Sequence, residues 1–166
     1  MNVKTPKEIA AFVKSKRNPL LVTGYLCDIF EMDGRKLIDY AADIAKKMDV
    51  AVAATANTVV GLRARGVERT KKMWAGEILN YMRDPWRKQY MQRDVPKVES
   101  LMEDRPDVLI LLGYDARVTD WLISGLKDID TVALAPRAVG RATCTLPDTI
   151  SLPRWGKLLD ELVAEL

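Results

Sequence analysis

Four short, uninterrupted apolar runs constrain this chain more than any other feature: residues 19–24 (PLLVTG), 50–55 (VAVAAT), 107–113 (DVLILLG) and 131–136 (TVALAP). Each ends in small or turn-forming residues. Continuous rather than alternating apolarity marks strands buried on both faces, as in a parallel sheet covered by helices. Ligands of such sheets bind outside the carboxyl ends of the strands, where the strand order reverses. The runs therefore give a fold and a place to look, but no reaction.

Helical signals fill the intervals. Residues 5–16 offer Thr5 as N-cap, Pro6 in the first turn, and Ile9, Phe12 and Val13 on one face. Asp33 caps an expected helix over 34–48, with Leu37, Ile38, Ala41, Ile44 and Ala45 as its buried stripe. A helix is expected near 117–126, a short strand at 149–152, and an amphipathic helix over 153–166 carrying Trp155, Leu158, Leu159 and Leu162. Residues 55–105 are the least regular. A helix containing Ile78, Leu79, Tyr81 and Met82 must end before Asp84-Pro85-Trp86, because the residue ahead of proline disfavours helical geometry. Residues 95–102 form a further helix or part of a strand–helix unit. The whole reads as one domain, 1–166: a three-layer, Rossmann-like, doubly wound, mostly parallel α/β sheet with helices on both faces.

Composition removes whole classes of chemistry. There is no histidine, hence no imidazole base, no common hydrolytic triad and no imidazole metal ligand. Two cysteines, Cys27 and Cys144, cannot build a four-thiolate cluster within one chain. A metal held only by carboxylates is the remaining alternative, but no Asp/Glu-rich loop argues for it, and no metal site is expected on this chain. Net charge is +3, from 26 basic and 23 acidic residues, and no nucleic-acid-binding signature accompanies it. No stretch is long and apolar enough for a membrane span or a secretory leader, so a cytoplasmic location is the default.

The candidate ligand edge comprises Thr23 and Gly24, Thr55, and Gly113 and Tyr114. Glycine at a strand-to-helix turn admits a phosphate close to backbone N–H groups, although neither loop has a full phosphate-binding fingerprint. A tight turn needing positive φ is the alternative for both glycines, and helix capping is the alternative for Thr55, Asn57 and Thr58. Asp115 reads most simply as an N-cap, Asp120 as a surface charge, and Cys144 as a semi-buried small residue. Trp74, Tyr81, Arg83, Trp86, Arg87 and Tyr90 mix aromatic and basic side chains in the way interface cores do.

Taken in order, residues 17–24, 52–56, 80–86, 107–114, 126–132 and 155–162 resemble the epsilon subunit of the archaeal acetyl-CoA decarbonylase/synthase complex. The segments are RNPLLVTG, VAATA, NYMRDPW, DVLILLGY, LKDIDTV and WGKLLDEL, and they span nearly the whole chain. The resemblance implies a Rossmann-like fold akin to the nucleotide-binding domain of deoxyhypusine synthase and the middle domain of thiamine-diphosphate enzymes. It implies association with the large nickel–iron–sulfur carbon monoxide dehydrogenase (alpha) subunit, in one-carbon metabolism of methanogenic or related archaea. The implied role is non-catalytic: stabilising that subunit, or aiding electron transfer to FAD held across the Thr23–Tyr114 edge. The family's metal ligands do not lie on this subunit. The alternatives are a stand-alone NAD- or flavin-dependent oxidoreductase using Asp115 or Cys144, a nucleotide-sensing domain, and a homo-oligomer.

Overall fold

Thr5 accepts the Glu8 N–H on its hydroxyl, and the Glu8 carboxylate accepts the Thr5 N–H in return. This reciprocal box starts helix α1 (Pro6–Lys14), which buries Ile9, Ala10 and Val13. Strand β1 (Pro19–Thr23) follows, then a 3-10 turn (Tyr25–Asp28), and a two-stranded hairpin, β2 (Glu31–Met32) with β3 (Arg35–Lys36). The remaining elements are α2 (Leu37–Met48), β4 (Ala51–Ala54), α3 (Thr58–Ala64), β5 (Thr70–Lys72) and α4 (Ala75–Arg83), then β6 (Val108–Leu112), α5 (Ala116–Ser124), β7 (Asp130–Ala133), β8 (Cys144–Thr145) and α6 (Leu152–Glu165). This computed structural model describes residues 2–83, 101–102 and 104–166.

Six strands pair in the order β5-β4-β1-β6-β7-β8, every neighbour parallel. Numbered among themselves they run 3-2-1-4-5-6, the doubly wound order whose direction of growth reverses beside β1. The apolar runs explain the three layers. In β1, Leu21 joins a core with α1, α2, α3 and α6, while Leu20 and Val22 join the opposite core with α4 and α5. Ile110 of β6 likewise faces the first core, and Leu109 and Leu111 face the second. Both sides of the central strands are dry, as continuous apolarity requires. The expected α/β fold with helices on both faces is what forms.

Three local expectations are corrected. Residues 33–34 are not a helix start: Asp33 (φ 51°) and Gly34 (φ 77°) form the two-residue loop joining β2 and β3. Helix α2 begins at Leu37 instead, where the Asp39 carboxylate accepts the Lys36 N–H at 2.9 Å. The last strand is β8, not 149–152; Ser151 caps α6 by accepting the Arg154 N–H, and Ile150 is 96% exposed. Within 55–105, the unassigned part holds α3 and the edge strand β5 as well as the expected helix α4. The further element expected over 95–102 falls outside the described residues, apart from buried Leu101 and Met102.

Candidate functional site

The strand order reverses between β1 and β6, so the sequence-predicted ligand residues Thr23, Gly24, Thr55, Gly113 and Tyr114 do come together at one sheet edge. They come together closely. The Gly24 N–H donates to the Leu112 carbonyl at 2.8 Å, and the Leu26 N–H to the Gly113 carbonyl at 2.9 Å. A Cβ on Gly24 would lie inside the Gly113 carbonyl and 2.7 Å from the Tyr114 ring. Gly113 holds φ +93°, and a Cβ there would collide with Cys27 Sγ. The two loops are thus in backbone contact across the reversal point.

The hydroxyls beside them are engaged with one another. Thr55 Oγ1 donates to the Thr23 carbonyl (2.7 Å), and Thr23 and Thr58 share a hydroxyl contact at 3.0 Å. Thr58 Oγ1 also donates to the Thr55 carbonyl, and no side chain of this cluster caps α3: its N-cap Asn57 makes no side-chain hydrogen bond to the helix. Tyr114, only 4% exposed, extends its hydroxyl to Thr55 Oγ1 (3.2 Å) and the Thr23 carbonyl (3.4 Å). Burial pushes the Tyr114 phenol well above its ordinary pKa, and the Thr55 hydrogen bond only partly opposes this. It is a neutral hydrogen-bond donor near neutral pH, not a base.

The groups proposed for direct chemistry are similarly placed. Asp115 accepts the Arg117 and Val118 N–H groups at 2.9 and 3.0 Å, as the N-cap of α5. The Val118 hydrogen bond above all, then that of Arg117 and the Tyr25 hydroxyl, hold its carboxyl below the usual range. Its anion therefore occupies the helix start at which a phosphate would otherwise sit. Asp120 pairs with Arg141 at 3.1 Å on the surface. Cys27 and Cys144 are free and buried, and burial raises both thiols, so neither is a ready thiolate. Among the described residues, no group of three or more His, Cys, Asp or Glu side chains could hold a metal ion. No helix among them is long and apolar enough to cross a membrane.

After β1 there is no immediate helix to present N–H groups to a phosphate. The 3-10 turn and hairpin intervene, and Arg35 secures the insertion by pairing with Asp43 of α2 and Asp160 of α6. Among the described residues, a cleft of about 480 Å3 opens further out at this edge, between the start of α5 and the loop after β7, with Arg117 and Arg137 in its lining. Sequence reasoning did not find this cleft, because loop 136–143 reached it only through the folding of β7 and β8 beside α5.

Of the interface candidates, Trp74 lies just beyond the carboxyl end of β5 and is 65% exposed, its ring resting over Gly76. Tyr81 and Arg83 belong to α4. Trp86, Arg87 and Tyr90 lie outside the described residues. A second exposed tryptophan was missed: Trp121 stands on the outer side of α5, away from buried Thr119, Leu122 and Ile123. Its signal was available, since a tryptophan off the buried stripe of a helix is an apolar surface that the fold leaves uncovered.

No family model matches the chain. Over 167 aligned residues it is 25% identical to the acetyl-CoA decarbonylase/synthase complex subunit epsilon of Methanothermobacter thermautotrophicus, a likeness covering 97% of this chain and 86% of that protein.

Proposed function

We propose that this protein is a non-catalytic accessory subunit of the epsilon type in an acetyl-CoA decarbonylase/synthase complex, bound to and stabilising a large nickel–iron–sulfur carbon monoxide dehydrogenase subunit. The observation that carries this reading is the end-to-end likeness to the archaeal epsilon subunit. The site chemistry supports it: the carboxyl, thiol and phenol groups at the strand-reversal edge serve capping, packing and internal hydrogen bonds. The proposed contact surface includes the aromatic–basic segment from Met73 onward, with Trp74 as its exposed anchor. Tryptophan is suited to that task because it removes much apolar area from water with few rotatable bonds.

FAD carries no step of this proposal. As arranged, the edge does not fit a flavin pyrophosphate: the Gly24, Arg117 and Val118 N–H groups are taken, and the Tyr114 hydroxyl engages Thr55. A rise in melting temperature at saturating FAD would restore the cofactor, since a ligand selective for the native state must stabilise it.

Capture of the tagged protein from anaerobic extract of its native source, with metal analysis of what co-elutes, tests the accessory role. The expected result is a nickel- and iron-rich large subunit that oxidises carbon monoxide. Elution alone and free of metal would refute it.

A further inference from the structure

At the opposite, amino-terminal edge of the sheet lies a second cleft, of about 500 Å3, where the turn after α1, the turn between α2 and β4, the approach to β5 and the end of α6 converge. Its cationic lining is Lys14, Lys16, Arg17, Lys47 and Arg69, against one carboxylate side chain, Asp49; Leu166 also lines it. Part of this charge has a structural task. Lys16 pairs with Asp130 and lies over the Phe12 ring. Lys14 Nζ and Lys47 Nζ donate to the Glu165 and Val163 carbonyls, at 2.6 and 2.7 Å, closing the C-terminus of α6. Each of those bonds uses one of an ammonium's three donors.

Helix capping does not account for the arginines. The Arg69 guanidinium reaches the Asp49 carbonyl at 3.2 Å and its carboxylate only at 3.9 Å, with both side chains largely in solvent. The Arg17 side chain has no partner among the described residues; the nearby Asp107 carboxylate is turned to the Arg17 and Asn18 N–H groups instead. Two guanidinium forks and two partly used ammonium groups therefore flank one hollow, over an apolar floor that includes Val13 and Val50.

We propose that this amino-edge cleft binds a small polyphosphate-type anion, with Arg17 and Arg69 gripping phosphoryl oxygens and Lys14 and Lys47 adding the remaining donors. A planar guanidinium meets two phosphoryl oxygens at once, which a lone lysine cannot do. The volume lies within the range of small-molecule sites and suits a diphosphate group, alone or on a nucleoside. The excess of positive charge draws such anions in. The proposal stands apart from the accessory-subunit reading and needs no partner.

Thermal unfolding in low-salt buffer tests it, with inorganic pyrophosphate and ADP as separate probes. At about a hundredfold excess over Kd, either ligand should raise Tm by roughly 5–10 °C in a chain of this size. ADP acting at lower concentration than pyrophosphate would identify a nucleotide; equal action would identify the free diphosphate. Arg17→Ala combined with Arg69→Ala should abolish the shift, Lys47→Gln should weaken it several-fold, and Arg154→Ala, at the other end of the molecule, should leave it intact. Pairing with Lys47→Gln keeps the test valid if the double variant folds poorly. No shift with either probe, an equal shift in Lys47→Gln and the double variant, or a shift reproduced by sodium chloride at matched ionic strength would overturn the proposal.

Discussion

Replacing Gly113 with alanine should be among the most damaging single-methyl additions this fold can suffer, and the structure allows its cost to be divided. One part is conformational: Gly113 holds φ +93°, a region that costs an L-residue about 1–2 kcal/mol. The other is steric, because the new Cβ would sit 2.8 Å from the Gly24 carbonyl oxygen and closer still to Cys27 Sγ. Overpacking of this kind costs about 1–3 kcal/mol. Together they give about 2–5 kcal/mol, or a fall in Tm of roughly 4–20 °C at 2–4 °C per kcal/mol. Gly34 supplies the internal control: it holds φ +77° with nothing within 4 Å of a Cβ. Gly34→Ala should therefore lose only the conformational part, about 1–2 kcal/mol. Urea denaturation of both variants, with the slopes checked for constancy, measures the difference. Cys27→Ala placed in the Gly113→Ala background should recover part of the steric loss, seen as a coupling energy in a double-mutant cycle of about 0.5–3 kcal/mol. Equal losses at Gly34 and Gly113, or no coupling to Cys27, would refute the claim that the two loops close on each other at the reversal edge.

Asp115→Ala removes the α5 cap and should cost about 0.5–2 kcal/mol at pH 7, whereas Asp115→Asn, which still caps, should cost only a few tenths. Because the folded state depresses the Asp115 pKa, its contribution is complete above the unfolded value of about 4 and is lost as pH falls through the folded value. The gap between wild type and Asp115→Ala should accordingly narrow in acid, as read by Tm against pH. Trp155→Phe deletes a buried indole N–H that donates to the Leu134 carbonyl at 3.1 Å and should cost about 2–4 kcal/mol by chemical denaturation. Trp74→Ser should leave Tm within about 2 °C, since the ring is largely in solvent, while sharply reducing capture of the large subunit; unchanged capture would remove Trp74 from the interface.

Where sequence reading succeeded, burial on both faces left a continuous trace. The run at 107–113 contains β6, and the run at 19–24 contains β1, because a strand between two dry cores is built almost wholly of apolar side chains, with a hydrogen-bonded threonine such as Thr23 at its end. Edges leave no such trace. Strand β5 reads Thr-Lys-Lys and, among the described residues, pairs on one side only, with Thr70 buried, so no apolar run announces it. At 149–152 the alternation Thr-Ile-Ser-Leu imitates a strand, yet its isoleucine stands in solvent and its last residue opens a helix. Asp33-Gly34 carried the strongest short hairpin signal in the chain; strands of two residues were too short to support it, and aspartate also satisfies the pattern of a helix cap. The location of the candidate edge was legible because it follows from strand ends. That Tyr114 turns inward onto Thr55 was not, because the choice of partner for a hydroxyl depends on residues 59 positions apart.

The last described helix lies against the first: α6 packs on α1 and α2, and its Trp155, Leu159 and Leu162 share a core with Ile9 and Val13. During synthesis, α1 emerges with its apolar stripe uncovered on this side until α6, Leu152–Glu165, has been made. Such long-range closure is slow and leaves greasy surface open to aggregation. Yield in a heterologous host should thus depend on chaperone supply and on keeping α6 intact.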